Sequence, residues 1–209
     1  MTHVLPPSCL ERVDALLADG RRKLLGLAGA PGSGKSTLAE ALLAHLGERA
    51  VVVPMDGYHF ANVELARLGR GERKGAEDTF DAAGYVALLA RLREQPADEI
   101  VYAPAFRREI EEPIAGAIPV LPQTQLVITE GNYLFLERGH WARVRPLLDA
   151  AWYVDVDDEL RRRRLVARHM HYGRSEAAAI DWVAHTDEPN AQLIATTRPR
   201  ADLVFRWPD

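Results

Sequence analysis

The stretch KLLGLAGAPGSGKSTLAEALLAHL, Lys23 to Leu46, decides the fold. Residues 23–29 are a short apolar run with a glycine-rich exit, the pattern of a buried strand. Residues 36–46 set Leu38, Leu42 and Leu46 at helical spacing. Between them GAPGSGKS, Gly29 to Ser36, fits G-x-x-x-x-G-K-[ST] at every fixed position, with the strand before it and the helix after it that the motif requires. Gly29, Gly32 and Gly34 let the backbone fold tightly so that its N–H groups point inward at a phosphate. The helix that follows turns its positive end to the same anion. Lys35 reaches the outer phosphates, and the Ser36 hydroxyl suits magnesium. The expected nucleotide-binding set is Gly29, Gly32, Ser33, Gly34, Lys35, Ser36 and Thr37, holding ATP with Mg2+.

Outward from this stretch, four more apolar runs follow: VVVPM (51–55), QLVITE (125–130), AAWYVDV (150–156) and ADLVFRW (201–207). Helical patterns lie at about 81–94, 158–171 and 175–197. Strands alternating with helices predict an α/β fold with a mostly parallel sheet, and near-continuous apolar strands predict burial on both faces. Ahead of Lys23, Ser8 is placed to cap a short amphipathic helix through about Ala18, with Leu10, Val13, Leu16 and Leu17 on one face and Gly20 ending it. Residues 57–80 and 98–122 break the rhythm and read as insertions, or a lid, over the sheet's C-terminal edge. No linker interrupts residues 1–209, so a single domain is expected.

The chain of 209 residues is 47% hydrophobic and carries a formal net charge of -4, which disfavours a general nucleic-acid binder. One cysteine, Cys9, excludes an intramolecular disulfide and points to a reducing, cytoplasmic setting. The opening MTHVLPPSCLERVDALL has neither the basic head nor the apolar stretch of a signal peptide or membrane span. No nucleic-acid or membrane partner is expected, and a homodimer is compatible with the chain. An N-K-x-D segment for guanine selection and an LSGGQ-like transporter segment are both missing from the sequence. A small-molecule kinase is the leading class left.

Two acids stand at strand ends. In doubly wound sheets ligands gather at the C-terminal edge of the strands. Asp56 ends the run VVVPM and Glu130 ends LVIT, so both arrive beside the phosphate loop if the sheet is parallel. Glu130 takes the position of a magnesium-holding acid, with Ser36. Asp56 is then free to accept the proton of an attacking hydroxyl. Farther on, DDELRRRRLVARHMHYGR (157–174) carries Arg161, Arg164 and Arg168 on one helical face, with Asp157 or Asp158 placed to cap its start. That face is expected to close over phosphates as a lid at about 158–174, with Arg164 and Arg168 acting in catalysis and Arg162 and Arg163 facing outward.

The order of phosphate loop, MDGYHF, RKGAEDTFD, VYAPAF, VITEGNY and arginine helix resembles the uridine kinase, phosphoribulokinase and bacterial pantothenate kinase superfamily. It is most similar to the small bacterial members described as fructose transport system kinase-like, or nucleoside/nucleotide kinase-like. The resemblance runs from about Leu24 to Trp207. It implies a P-loop NTPase three-layer fold, with a five-stranded parallel core in the order 2-3-1-4-5. It also implies ATP with magnesium, and transfer to a hydroxyl of a small metabolite. By the resemblance Asp56 matches the catalytic acid after the second strand and Glu130 the acid after the third. Lys74, Gly75, Phe80 and Asp81 match a pantothenate kinase pattern. TTRPRADLV, which holds Arg198, matches the segment near the adenine, and Asn190 lies near a substrate-contacting asparagine. Departures are Gly57-Tyr58-His59, where uridine kinases show serine and phenylalanine, and Arg168-His169, where they show arginine–aspartate. Catalytic type therefore transfers better than substrate choice.

For the acceptor pocket the expected residues are Tyr58, His59, Lys74, Arg108, Tyr133 and Asn190, with Tyr102 beside them. The aromatics suit stacking on a base or sugar, and the basic groups suit a carboxylate or phosphate already on the substrate. A competing reading is a nucleotide-dependent regulator that hydrolyses ATP without a small-molecule acceptor.

Overall fold

The chain alternates strand and helix around one sheet. The structure, a computed structural model, describes residues 4–207. The strands are β1 (Lys23–Ala28), β2 (Ala50–Pro54), β3 (Val101–Arg107), β4 (Glu112–Val120), β5 (Leu126–Gly131), β6 (Ala150–Asp155) and β7 (Leu203–Arg206). Five of them form a sheet in the order β2-β5-β1-β6-β7, with every neighbouring pair parallel. Counted without the separate β3–β4 hairpin, this is the order 2-3-1-4-5 that the resemblance implies.

Strand alternation splits the core in two. Leu24, Val53, Val127, Ala151 and Tyr153 point to one face and pack with Tyr85, Val86, Leu89 and Trp141. Their neighbours Leu25, Leu27, Leu126, Ile128, Trp152 and Val154 point to the other, against Leu38, Leu42, Cys9 and Val13. Both faces of β1 and β5 are covered, which is why these strands read as unbroken apolar runs. The helices supplying the cover are α1 (Pro7–Leu17) and α2 (Lys35–Leu46) on one side and α4 (Ala82–Arg93) on the other.

Three sequence expectations are corrected locally. Ser8 does not cap α1: the helix starts at Pro7 with Pro6 before it and no side-chain cap. Proline at the first helical position has its φ preset and lacks an N–H that would be unpaired there. Residues 61–80 contain a short helix, α3 (Asn62–Arg67), with polar turns after it. The helical pattern over 175–197 is divided into α6 (Glu176–Trp182), a π turn at Val183–Asp187 and α7 (Glu188–Ala195). Pro189 in the first turn of α7 has no N–H to give back, and the backbone just before it widens.

The insertion segments are tied to the sheet edge. The ends of the 60–79 loop are pinned by Phe60 N–H to Thr79 O (2.9 Å) and Asp81 N–H to Tyr58 O (2.8 Å). The Asp81 carboxylate then caps α4 through Gly84 N–H at 2.8 Å. β3 and β4 pair antiparallel from Val101↔Val120 to Arg107↔Glu112, with a register shift around Pro104. The hairpin backbone lies against the turn that follows β2: a Cβ added at Gly57 would stand 2.4 Å from the Pro104 carbonyl oxygen. Among the described residues, no helix is long and apolar enough to cross a membrane.

Candidate active site

The phosphate loop connects β1 to α2 with Gly32 at φ 79° and Gly34 at φ 93°, conformations that L side chains rarely adopt. The loop is held from below as well. A Cβ at Gly29 would meet the Val154 carbonyl oxygen at 2.5 Å, and one at Gly32 would meet the Arg161 carbonyl oxygen at 3.0 Å. Lys35 opens α2 and is nearly buried. Its three ammonium protons are directed at Gly29 O (3.0 Å), Ala30 O (3.1 Å) and Asn132 Oδ1 (3.0 Å). Burial pulls the Lys35 pKa down to about 8, against the pull of Glu130 and Asp56, while Arg168 and Arg108 push it the same way as burial. Asn132 was not among the expected site residues. Its signal was present in VITEGNY: it lies two positions past Glu130, on the side that alternation gives.

Register brings the acids to this loop. Pro54 pairs with Glu130 and Ala28 with Gly131, so β2, β5 and β1 end level with one another. Asp56 follows in a tight turn, Met55–Tyr58, whose Met55 is buried under the sheet edge. Asp56, Glu130 and Lys35 line one cavity of about 1010 Å³. The Ser36 hydroxyl donates to Glu130 Oε1 at 3.2 Å. A hydroxyl and a carboxylate, both hard oxygens, form the small donor set that magnesium takes beside phosphates and water. The two acids are pushed apart. Burial and the nearby Asp56 charge raise the Glu130 pKa. For Asp56, burial works against the carboxylate but is outweighed by His59 when protonated, Arg108, Lys35 and Arg168, which hold its pKa below the usual value.

On the wall beyond Asp56, Arg108 Nη2 donates to Asp56 Oδ2 at 3.0 Å. The His59 ring sits between Phe80 and Phe106, with centroids 4.0 and 4.6 Å away. Its Nδ1–H donates to the Asp56 carbonyl at 2.8 Å, and burial keeps the imidazole pKa below its ordinary value. The Lys74 ammonium donates to Asn62 Oδ1 at 2.7 Å and to the Glu111 carbonyl. His59, Lys74, Arg108 and Asn190 all line the cavity.

Other expected residues lie elsewhere. Tyr133 is fully buried among Phe80 and Trp141, and its hydroxyl donates to the Gly75 carbonyl at 2.5 Å. It braces the loop from behind. Tyr58 packs against Tyr85 at 5.4 Å, and Tyr102 is exposed on β3; neither lines the cavity. Arg198 is off the cavity wall, with Nη2 3.3 Å from Asp155 Oδ2. Gly29 and Ser33 lie beneath the phosphate loop's cavity surface, whereas Gly32, Gly34, Ser36 and Thr37 line it. Tyr102, on β3, turns to solvent; Tyr58 and Tyr133 stand near Asp56 and Glu130 in sequence but pack inward. A large ring gains more by entering the core than by facing the cleft.

The arginine helix α5 (Asp158–His171) is capped by Asp157, whose carboxylate accepts Leu160 N–H at 2.9 Å. Arg164 and Arg168 line the cavity, and Arg162 and Arg163 are exposed. Arg161 shares their face but turns inward, with 1% of its side chain exposed, and pairs with Asp158 (3.1 Å) and Glu188 (2.6 Å). A second lid pair was missed from sequence: His169 Nε2 stands 2.8 Å from Asp187 Oδ2, linking α5 to the π turn.

The family model described as Phosphoribulokinase / Uridine kinase matches residues 24–208. A candidate uridine kinase of Schizosaccharomyces pombe is 35% identical, covering 93% of this chain and 87% of that one. A pantothenate kinase of Mycolicibacterium vanbaalenii is 27% identical, covering 88% of this chain and 66% of that one. Among solved structures, a candidate fructose transport system kinase from Silicibacter sp. TM1040 superposes with a TM-score of 0.83 at 36% identity, covering 94% of this chain and 98% of that one.

Proposed function

The chain belongs to the phosphoribulokinase/uridine kinase family of ATP-dependent small-molecule kinases, and on that premise we propose that it transfers the γ-phosphate of ATP to a hydroxyl of a small metabolite. The observation that carries this reading is that the Asp56 carboxylate lines the same cavity as the Lys35 cradle and Glu130. A nucleotide switch without an acceptor has no use for a second acid there. The one chain acts as a single kinase domain, with its two insertions and the arginine helix forming the walls of the cleft.

The main-chain N–H groups of the loop and the start of α2 hold the phosphates, and Lys35 exchanges its carbonyl partners for phosphate oxygens. Asp56, kept as a carboxylate by the cations around it, accepts the acceptor hydroxyl's proton as that oxygen forms its bond to phosphorus. The bond from phosphorus to the bridging oxygen breaks and ADP leaves with the electron pair. Arg164 and Arg168 face the charge that spreads over the phosphoryl oxygens. Ser36 and Glu130 would hold magnesium, which would supply positive charge to offset that of the phosphates. His59, Lys74, Arg108 and Asn190 position the acceptor.

The test is ADP release and product mass with ATP, Mg2+ and a panel of nucleosides, ketoses and pantothenate. Strong stimulation by one compound, with a phosphorylated product, is the expected result. Equal slow hydrolysis with every compound overturns the reading in favour of a regulatory ATPase.

A further inference from the structure

We propose that the hydroxyl acceptor also carries an anionic group, a carboxylate or a phosphate monoester, which Arg108 and Lys74 bind beside the Phe106 ring. The inference deepens the kinase reading and rests on it.

The wall beyond Asp56 carries two basic side chains. The Lys74 ammonium lies 5.2 Å and the Arg108 guanidinium 5.8 Å from the centroid of Phe106, so one ring backs both. Lys74 is largely buried, with 14% of its side chain exposed. Its close partners, the Asn62 amide oxygen and the Glu111 carbonyl, are neutral; they orient the ammonium without cancelling its charge. The Glu111 carboxylate stands off at 3.9 Å and is itself 54% exposed, and Glu112 accepts from Asn62 N–H. Burial still outweighs the pull of the Glu111 and Glu112 charges on this ammonium, so a further anion in the cavity would stabilise it.

Arg108 presents the second half of the argument. Among the described residues, its one hydrogen-bond partner is Asp56, through Nη2. A guanidinium has five N–H donors in a planar fork, so most of that fork remains for a ligand in the cavity it lines. The Asp56 pairing also bears on the proposed chemistry, because it occupies one of the two carboxylate oxygens, Oδ2, and lowers the basicity of the acid that must take the proton. An acceptor with an anionic group draws the guanidinium onto itself and releases Asp56 for the hydroxyl. A neutral acceptor leaves Arg108 on Asp56. The His59 ring, whose pKa burial lowers, packs on Phe106 and closes this wall.

The experiment is equilibrium titration of the full chain, with Mg2+ and a non-hydrolysable ATP analogue present, using matched pairs: ribose against ribose 5-phosphate, and panthenol against pantothenate. The expected result is binding of the charged member at least ~10-fold tighter in one pair, the size of a charge-assisted contact. A preference in the phosphate pair assigns a sugar phosphate, and one in the carboxylate pair a hydroxy acid. Arg108→Gln is expected to remove most of the preference, Lys74→Met part of it, and Arg108→Lys to keep part of it. No difference within either pair, or a preference that survives Arg108→Gln, overturns the proposal. Because binding is read apart from turnover, an anion preference without phosphoryl transfer overturns the kinase reading and keeps the anion site.

Discussion

The two ends of the cleft are built by opposite means. At the phosphate-loop end, one continuous stretch from β1 to α2 lines the cavity, with Gly32 and Gly34 presenting main chain there. At the Asp56 end, the turn after β2, the 60–79 loop and the β3–β4 hairpin each supply side chains, paired across separations of 52 and 37 residues. A main-chain cradle needs glycines at fixed spacing, and that spacing is visible in any sequence that has it. A side-chain wall needs only that the fold bring charged groups together, and many sequences do this.

If the ends are separable, mutations should separate them. Asp56→Asn is expected to lower the transfer rate about 100-fold or more while leaving affinity for an ATP analogue nearly unchanged, as read by steady-state kinetics beside calorimetry. Equal loss in both would merge the two ends. Lys35→Ala is expected to weaken ATP-analogue binding itself, by about 10- to 100-fold, along with rate. Gly57→Ala places a methyl on the Pro104 carbonyl and is expected to cost about 2 kcal/mol in denaturant unfolding. Its kinetic effect should fall on the acceptor KM and not on that of ATP.

Smaller effects sharpen the contrast. Lys35 titrates near pH 8 when free, below the 10.5 of an unperturbed lysine. Triphosphate needs the ammonium, so affinity should be flat below pH 8 and fall by up to about tenfold between pH 8 and 9. The same depressed pKa means the unfolded chain binds more protons between 8 and 10.5, so this group's contribution to folding stability rises with pH. Affinity and stability should therefore move in opposite directions, which calorimetry and denaturant unfolding across that range will read. Least of all, Tyr133→Phe should cost about 1 kcal/mol of stability through the lost bond to Gly75, with ATP affinity untouched.

How much was legible follows the same division. The strands, α2, α4 and α5, the Asp157 cap and the phosphate loop are written locally, in apolar periodicity and fixed motifs, and the structure places each where the sequence does. The position of Asp56 and Glu130 at the sheet's C-terminal edge was legible because parallel strands all end there. Tyr58, Tyr102 and Tyr133 lie off the cavity because a segment's place beside the cleft does not say which way each ring turns. Arg161 belongs to the arginine stripe by spacing, but of the two carboxylates that it pairs with, only Asp158 is local; Glu188 is 27 residues away. Asn132 and the His169–Asp187 pair become functional candidates only once strand ends and helices are in contact.

The close approach of Gly57 to Pro104 has an evolutionary consequence. Two backbones that touch cannot slide past each other to enlarge or shrink the space beyond the reacting acid. A lineage changing its preferred metabolite on this scaffold is thus restricted to swapping residues around the hairpin tip, such as positions 106 and 108, or around the 62–75 loop. Diversification would then be read as scattered side-chain exchanges over an unchanging chain path.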